Sequence, residues 1–421
     1  MKFEKMSLTK IRGRAWLSLT LLLAIFPVSA MAADEVSIIP YLDYNYSNNI
    51  FWDYSAVSDA TFSPGLELNL ASRQFNFFLN ADSKIYRSND YLNQSSISGG
   101  FNFYKMLSKR STFFLSPDIS LTQFKGDMSY LNTAIPSLTV GLKHFFSSQI
   151  YGRIGFNLRH SDYLEEDSYD HWRAAVFLEM SAFLKTQTTL RLTLGMNYLF
   201  FPHIVTEIAA AISVPATIEA TAAAATETKI RNRRGVPVQP SPPSPDPSTP
   251  QPEPEIPLVS TTVNLSIPQP FIVFRAAQGL GYKTGLIAEI QYRKNRDLLK
   301  DFDPLTIDEW ALQRMDEDFF WQGTRFSLAI KTEAFFNMEI AVDFSYYLKQ
   351  YDGLNALDMN GDPILPQAFR EDRLSQVTMK ITKSLGNFGL YLTGSYRKNV
   401  SNDLYFHYNL YTISSGLDYS F

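Results

Sequence analysis

The chain has no cysteine, so disulfides and thiolate chemistry are excluded, as is a lipid attached through a cysteine at a processed N-terminus. Beyond residue 28 it has no stretch approaching the roughly 20 apolar residues that a transmembrane helix needs. A basic surplus is missing too: 38 Lys and Arg stand against 42 Asp and Glu, a net charge of −4, which argues against a nucleic-acid partner. The histidines (144, 160, 171, 203 and 407) are scattered without metal-ligand spacing, and there is no phosphate loop or dinucleotide fingerprint. Asp358, Asn360 and Asp362 imitate the start of a calcium loop. However, Pro363 replaces the glycine that loop requires, and Phe369 stands where its closing Glu should be. His160-Ser161-Asp162 holds the residue types of a hydrolase relay, yet successive strand residues point to opposite faces. The expectation is a protein without catalytic residues, metal or cofactor.

Near the N-terminus, Lys2, Lys5, Lys10, Arg12 and Arg14 precede an apolar run from Ala15 to Val28 and then Ala30-Met31-Ala32. A basic start, a run too short to span a bilayer and a small-residue exit predict a secretory signal peptide cleaved after Ala32. The chain then divides into 1–32 and a mature 33–421, with 33 basic and 41 acidic residues and a net charge of −8. Aromatics make up 14% of the chain, with 32 Phe and 23 Tyr. Such rings suit pleated surfaces and the girdles where a membrane meets water.

The dominant period is two. Leu190, Leu192, Leu194, Met196, Tyr198 and Phe200 alternate with Arg191, Thr193, Gly195 and Asn197. Met338, Ile340, Val342, Phe344, Tyr346 and Leu348 alternate in the same way with Glu339, Asp343 and Lys349. A strand of this kind has one apolar and one polar face. The pattern predicts strands over 36–47, 59–71, 75–87, 94–106, 112–124, 133–146, 150–163, 171–184, 188–201, 259–274, 280–293, 319–331, 335–349, 372–384, 388–399 and 408–421. Short turns alternate with longer loops, the strands are long for a globular sheet, and the charges run along the whole polar face. Together these predict an all-β fold: a transmembrane, antiparallel up-and-down barrel of about sixteen strands, with both ends on the periplasmic side. The Pro-bearing strands 133–146 and 259–274 are the weakest of the set, so fourteen or eighteen strands stay open. Segment 202–258 interrupts the pattern. It runs from Ala222–Ala225 through Lys229, Arg231, Arg233 and Arg234 to a tract, 237–257, with ten Pro among its 21 residues. It is expected to be a disordered surface loop, or else a latch whose basic knot folds back into the barrel mouth.

At the C-terminus, Tyr411, Ile413, Leu417, Tyr419 and Phe421 alternate with small and polar residues to the last position. This resembles the terminal signal of outer-membrane barrels and implies recognition by the barrel-assembly machinery. Ser47-Asn48-Asn49-Ile50-Phe51, then Asp59 and Phe62-Ser63-Pro64-Gly65-Leu66-Glu67-Leu68, resembles the opening of β-barrel porins associated with exopolysaccharide gene clusters. That resemblance covers some 85 residues, the first strands and the last, and the Pro-rich insert departs from it. It implies a passive channel or an exporter of sugar polymers and designates no functional residue.

The pleat directs Lys84, Lys143, Arg153, Arg159, Arg173, Arg191, Arg293, Arg325, Lys331, Lys349, Lys380 and Arg397 inward. With them go Glu67, Asp82, Asp118, Glu179, Glu289, Glu339, Asp343 and Asp418. An Arg or Lys facing lipid at the midplane costs about 2–4 kcal/mol. These charges form either a mutually neutralising lattice or an electropositive path for sugar or anionic solutes. The expected surroundings are outer-membrane lipid and lipopolysaccharide in a Gram-negative bacterium. Three functions are carried forward: a porin-like channel for hydrophilic solutes, a polymer exporter, and a surface enzyme or adhesin built on loops 294–318 and 350–371.

Overall fold

The computed structural model describes residues 34–52, 54–165, 170–209, 258–281, 283–295, 321–358, 364 and 368–421. The expected signal peptide, residues 210–257 of the Ala/Pro-rich insert and most of loop 294–318 lie outside the described residues.

Sixteen strands occur in chain order: β1 (Glu35–Ser47), β2 (Asp59–Ala71), β3 (Phe75–Tyr86), β4 (Gln94–Ser108), β5 (Ser111–Phe124), β6 (Thr133–Phe145), β7 (Ile150–Tyr163), β8 (His171–Phe183), β9 (Thr188–Ala209), β10 (Leu258–Gly279), β11 (Thr284–Arg293), β12 (Gln322–Glu333), β13 (Met338–Asn355), β14 (Phe369–Leu385), β15 (Phe388–Ser401) and β16 (Tyr408–Tyr419). Each pairs with its sequence neighbours, and β16 pairs with β1, closing the barrel. The chain divides into two units. The first comprises the described residues from 34 to Ile204 and from Thr262 onward, which hold the barrel wall, and Val205–Thr261 is assigned to the second.

Alternation explains the strands. Ile154 and Phe156 on β7, Leu192, Leu194 and Met196 on β9, and Phe326, Leu328 and Ile330 on β12 all point outward and are exposed. A soluble sheet would bury such side chains; here the polar side chains line the inside.

Proline marks where the ladder yields. The β2–β3 register runs from Phe62–Ile85 to Gly65–Asp82, passing over Pro64. The β6–β7 register likewise runs from Ala134–Asp162 to Ser137–Arg159, passing over Pro136. Proline has no N–H to donate, so rungs disappear on one side while the other ladder holds the strand. Pro136, for instance, stays in register with Ile119 of β5. The two doubtful Pro-bearing segments, 133–146 and 259–274, are both strands, β6 and β10, and the count is sixteen.

The sequence misplaced some ends. The expected turn at 275–279 is strand, because β10 continues to Gly279 and the reversal lies at 280–283. The turn expected at 332–334 is shifted to a tight 3-10 turn, Phe335–Asn337, with Phe336 and Asn337 at φ 59° and 56°. β13 and β9 also overrun their predicted ends. Alternation fades near a barrel rim, where no lipid face enforces it.

The long-loop end has a repeated closing device. The Asn93 side-chain oxygen accepts from Tyr86 N at 2.7 Å, Asn132 from Phe124 N at 2.6 Å, and Asp170 from Tyr163 N at 2.7 Å. Each adds a rung after the backbone ladder has ended. The backbone carbonyls of Asn93 and Asn132 accept from Lys125 N and Leu164 N of the following loops, so successive loops are tied in a chain.

Candidate functional site

Directly opposed residues in an antiparallel pair share a face, so the register assigns every inner-wall residue. Arg153 opposes Glu179 and Arg159 opposes Arg173 between β7 and β8, while Ser181 opposes Arg191 on β9. Arg293 opposes Phe271, and Glu289 opposes Arg275. Gln291 opposes Arg325 and Gly285 opposes Lys331. Arg325 opposes Tyr347, Gly323 opposes Lys349, Ala329 opposes Asp343 and Glu333 opposes Glu339. Ala341 opposes Lys380, and Gln376 opposes Arg397. All of these lie on the face opposite the exposed apolar residues. The expected inward set falls on one face without exception.

The charges are not evenly mixed around that face. Asp43, Glu67, Asp82, Asp118 and Asp418, with Lys84, lie on the arc from β16 through β1 to β5. Lys143, Arg153, Arg159, Arg173 and Arg191 lie on β6 to β9, with Glu179 the acid among them. Arg275, Arg293, Arg325, Lys331, Lys349, Lys380 and Arg397 lie on β10 to β15 with Glu289, Glu339 and Asp343. Arg275 and Asp43 were missed from the sequence. Arg275 had been assigned to a turn, whereas the alternation of Tyr41, Asp43 and Asn45 against Leu42, Tyr44 and Tyr46 was there to be read.

Some of the bases are ion-paired. Arg191 Nε lies 3.6 Å from Glu179, and Lys331 Nζ lies 2.8 Å from Glu339. Others rest on aromatic rings instead. The Arg153 guanidinium is 4.3 Å from the Phe114 centroid and 5.2 Å from Phe177. Lys143 lies 4.2 Å from Tyr151, Arg325 lies 5.3 Å from Tyr347, and Lys380 lies 5.0 Å from Tyr391. The acids of the opposite arc engage hydroxyls: Ser96 Oγ donates to Asp82, and Ser137 Oγ to Asp118. A neutralising lattice would need those carboxylates against the bases.

Glycines make room for the rings. Phe114, Gly141, Gly155 and Phe177 form one cross-strand row, and a Cβ on either glycine would collide with the neighbouring phenyl. The rings thus lie against the wall, over the glycine backbone, as cross-strand aromatic–glycine pairs do.

At the long-loop end, Arg370 sits 3.3 Å over Phe406, and its Nη2 is 2.5 Å from Asp372. Asp403 accepts from Leu357 N and Tyr405 N, and burial pushes its carboxyl up to about 6. Loop 48–58 reaches over this level, with Trp52 beneath the Arg397 guanidinium at 4.5 Å and Tyr54 edge-on to Tyr405 at 5.1 Å.

The hydrolase-like triplet is dispersed as the pleat requires. His160 stacks on Trp172 at 4.2 Å on the outside, whereas Ser161 is buried opposite His171 on the inside. Asn360 and Asp362 lie outside the described residues. The terminal motif forms the closing strand: Tyr411, Ile413 and Leu417 are exposed on the outside, and Tyr419 packs edge-on against Phe388 and Phe421.

Fold and wall together define a class: a closed sixteen-stranded antiparallel barrel, apolar outside and ionised inside. No family model matches the chain, and no curated protein matches its sequence. Among solved structures it is similar to OccK1 (OpdK) of Pseudomonas aeruginosa, at 8% identity and a TM-score of 0.43, covering 92% of this chain and 99% of that one. It is also similar to OccAB4 of Acinetobacter baumannii, at 9% identity and a TM-score of 0.45, covering 92% and 98%. A further likeness is to Pseudomonas aeruginosa OccK2 (OpdF) in complex with glucuronate, with the same identity, TM-score and coverage as OccAB4.

Proposed function

We propose that the protein is an outer-membrane channel for passive passage of hydrophilic solutes, favouring anions. The observation that carries this reading is the inner wall, where bases on β6–β9 and β10–β15 outnumber acids and several lie on rings rather than against carboxylates. Bases held on rings, such as Lys143, Arg153, Arg325 and Lys380, need water and mobile ions beside them, and rings of basic residues favour anions in a pore. A barrel of about sixteen strands has room for an aqueous lumen. The exposed apolar outer face supports a lipid environment, with lipopolysaccharide around the long-loop end. The signal peptide and the terminal strand support export and assembly by the barrel machinery. No chemistry is assigned to the protein.

The test is single-channel recording of refolded protein in planar bilayers. Discrete conductance steps, with current carried mainly by anions, are the expected result. A correctly folded barrel that does not conduct would overturn the reading.

A further inference from the structure

The inner wall is open at one end and covered at the other. Near the short turns, the side chains of Lys331 and Glu339 are 63% and 46% exposed. At the long-loop end of the same face, Lys349, Asp372, Leu374 and Asn399 are buried. Their register points them inward, so what covers them lies over the lumen and not against lipid. The Leu404–Phe406 turn is part of that cover: Asn399 Nδ2 donates to Phe406 O at 2.7 Å, and Arg370 lies on the Phe406 ring. Trp52, beneath the inward Arg397, belongs to the same layer.

The covering residues are locked to one another. Leu404 N donates to Leu357 O at 3.1 Å, joining the β15–β16 and β13–β14 connections, and Tyr54 N donates to Tyr405 O at 3.2 Å. Asp403 holds the joint. Its two carboxyl oxygens accept from Leu357 N at 3.3 Å and from Tyr405 N at 3.0 Å, and its own N–H donates to Ser401 Oγ at the end of β15. Trp52 and Ala56, with φ of 57° and 49°, sit in a left-handed conformation that side chains rarely adopt, as segments with a second arrangement often do. From β14, Arg370 attracts the Asp403 carboxylate, although it is already paired with Asp372, and Asp372 repels it. Lys349 and Tyr351 of β13 act on Asp372. Asp358 follows Leu357, Tyr54 packs on Tyr405, and His407 ends the turn that Asp403 begins.

We propose that the Leu404–Phe406 turn, with the loop residues locked to it, is a gate over the long-loop mouth, and that Asp403 is its catch, closed when protonated and released when ionised. This rests on the channel reading above and adds its regulation. Burial beside Asp372 pushes the carboxyl up to about 6, whereas on a turn swung into water it returns to the ordinary carboxylate range. The closed gate therefore keeps a proton that the open gate has lost. Closure is full below the ordinary carboxylate range, weakens as pH rises to about 6 and is level beyond it.

The test is single-channel recording of the refolded protein in planar bilayers, with the same pH on both sides. Between about pH 4.5 and about pH 7 the ratio of open to closed dwell times in the wild type should rise about tenfold. Asp403→Asn, an uncharged mimic of the protonated acid, should stay mostly closed with no pH dependence. Asp403→Ala, which has no acceptor for Leu357 or Tyr405, should stay mostly open at both pH values. A wild type with equal ratios at the two pH values, or an Asp403→Asn barrel that keeps the wild-type dependence, would overturn the proposal, and neither comparison requires the alanine variant to fold. Conduction without this pH dependence removes the gate alone. A folded wild type that conducts at neither pH removes the channel reading with it.

Discussion

Gly155 shows how a single residue shapes the wall. Its missing side chain is the space in which the Phe177 ring lies, and that ring in turn supports Arg153. Gly155→Val should cost about 1–3 kcal/mol from overpacking. It should also push the phenyl into the lumen and lower unitary conductance; a variant with wild-type conductance and stability would contradict this packing. Asp403 works through burial. Its carboxyl is pushed up to about 6 by desolvation, against the opposing pull of Arg370 and the Leu357 and Tyr405 N–H donors, with Asp372 repelling it. A raised carboxyl pKa means the folded loop favours the protonated form. Its hold is therefore full below the ordinary carboxylate range and weakens as pH climbs through about 6. Amide protection at Tyr405, corrected for intrinsic exchange, should fall over that window and become flat in Asp403→Asn. A pH-independent wild type would refute the assignment. Neither device could be read from the sequence: the glycine needs the register to show what covers it, and Asp403 looks like any loop acid.

At the scale of elements, the strands were almost fully legible because lipid on one side and water on the other enforce a period of two. β2 and β7 begin and end where alternation places them. The rims were less legible, since a hairpin reversal such as 280–283 carries no face to enforce alternation. The first-hairpin motif acquires a structural meaning. The Asn48 side chain accepts from Tyr411 N at 2.6 Å and that of Asn45 from Ser414 at 3.0 Å, across the β1–β16 seam, while Asp59 holds Asn89 at 2.8 Å. The seam has seven paired rungs, Tyr41 to Ser47, against thirteen between β1 and β2. β16 is therefore the strand on which closure depends, because an open edge in lipid leaves backbone groups unpaired. Deleting β16, or replacing Phe421 by Ala, should reduce insertion in the outer membrane while leaving export intact. Membrane fractionation showing full insertion of the deletion would contradict this. Asn132→Ala removes a rung-extending acceptor and should loosen loop 125–132 by about 1 kcal/mol, read as faster exchange at Phe124 N–H.

For the whole molecule, the inward placement of the charges followed from the pleat, but their grouping did not. Which charges come to lie side by side depends on the register and on the β1–β16 closure, which brings the distant acids Asp43 and Asp418 onto adjoining rungs. The central claim is that the basic arc borders the path of ions, and the reversal potential across a salt gradient tests it most directly. Arg153, Arg159 and Arg191 lie on two strands of that arc, so changing all three to Glu moves the local charge by six units. Charges that line a narrow aqueous path act through less water than in bulk. The account predicts an anion-selective wild type and a triple variant shifted toward cations, at some cost in stability because Arg191 pairs with the buried Glu179 and Arg153 lies between two phenyl rings. An unshifted reversal potential in a correctly folded triple variant would place these arginines outside the conduction path and contradict the account.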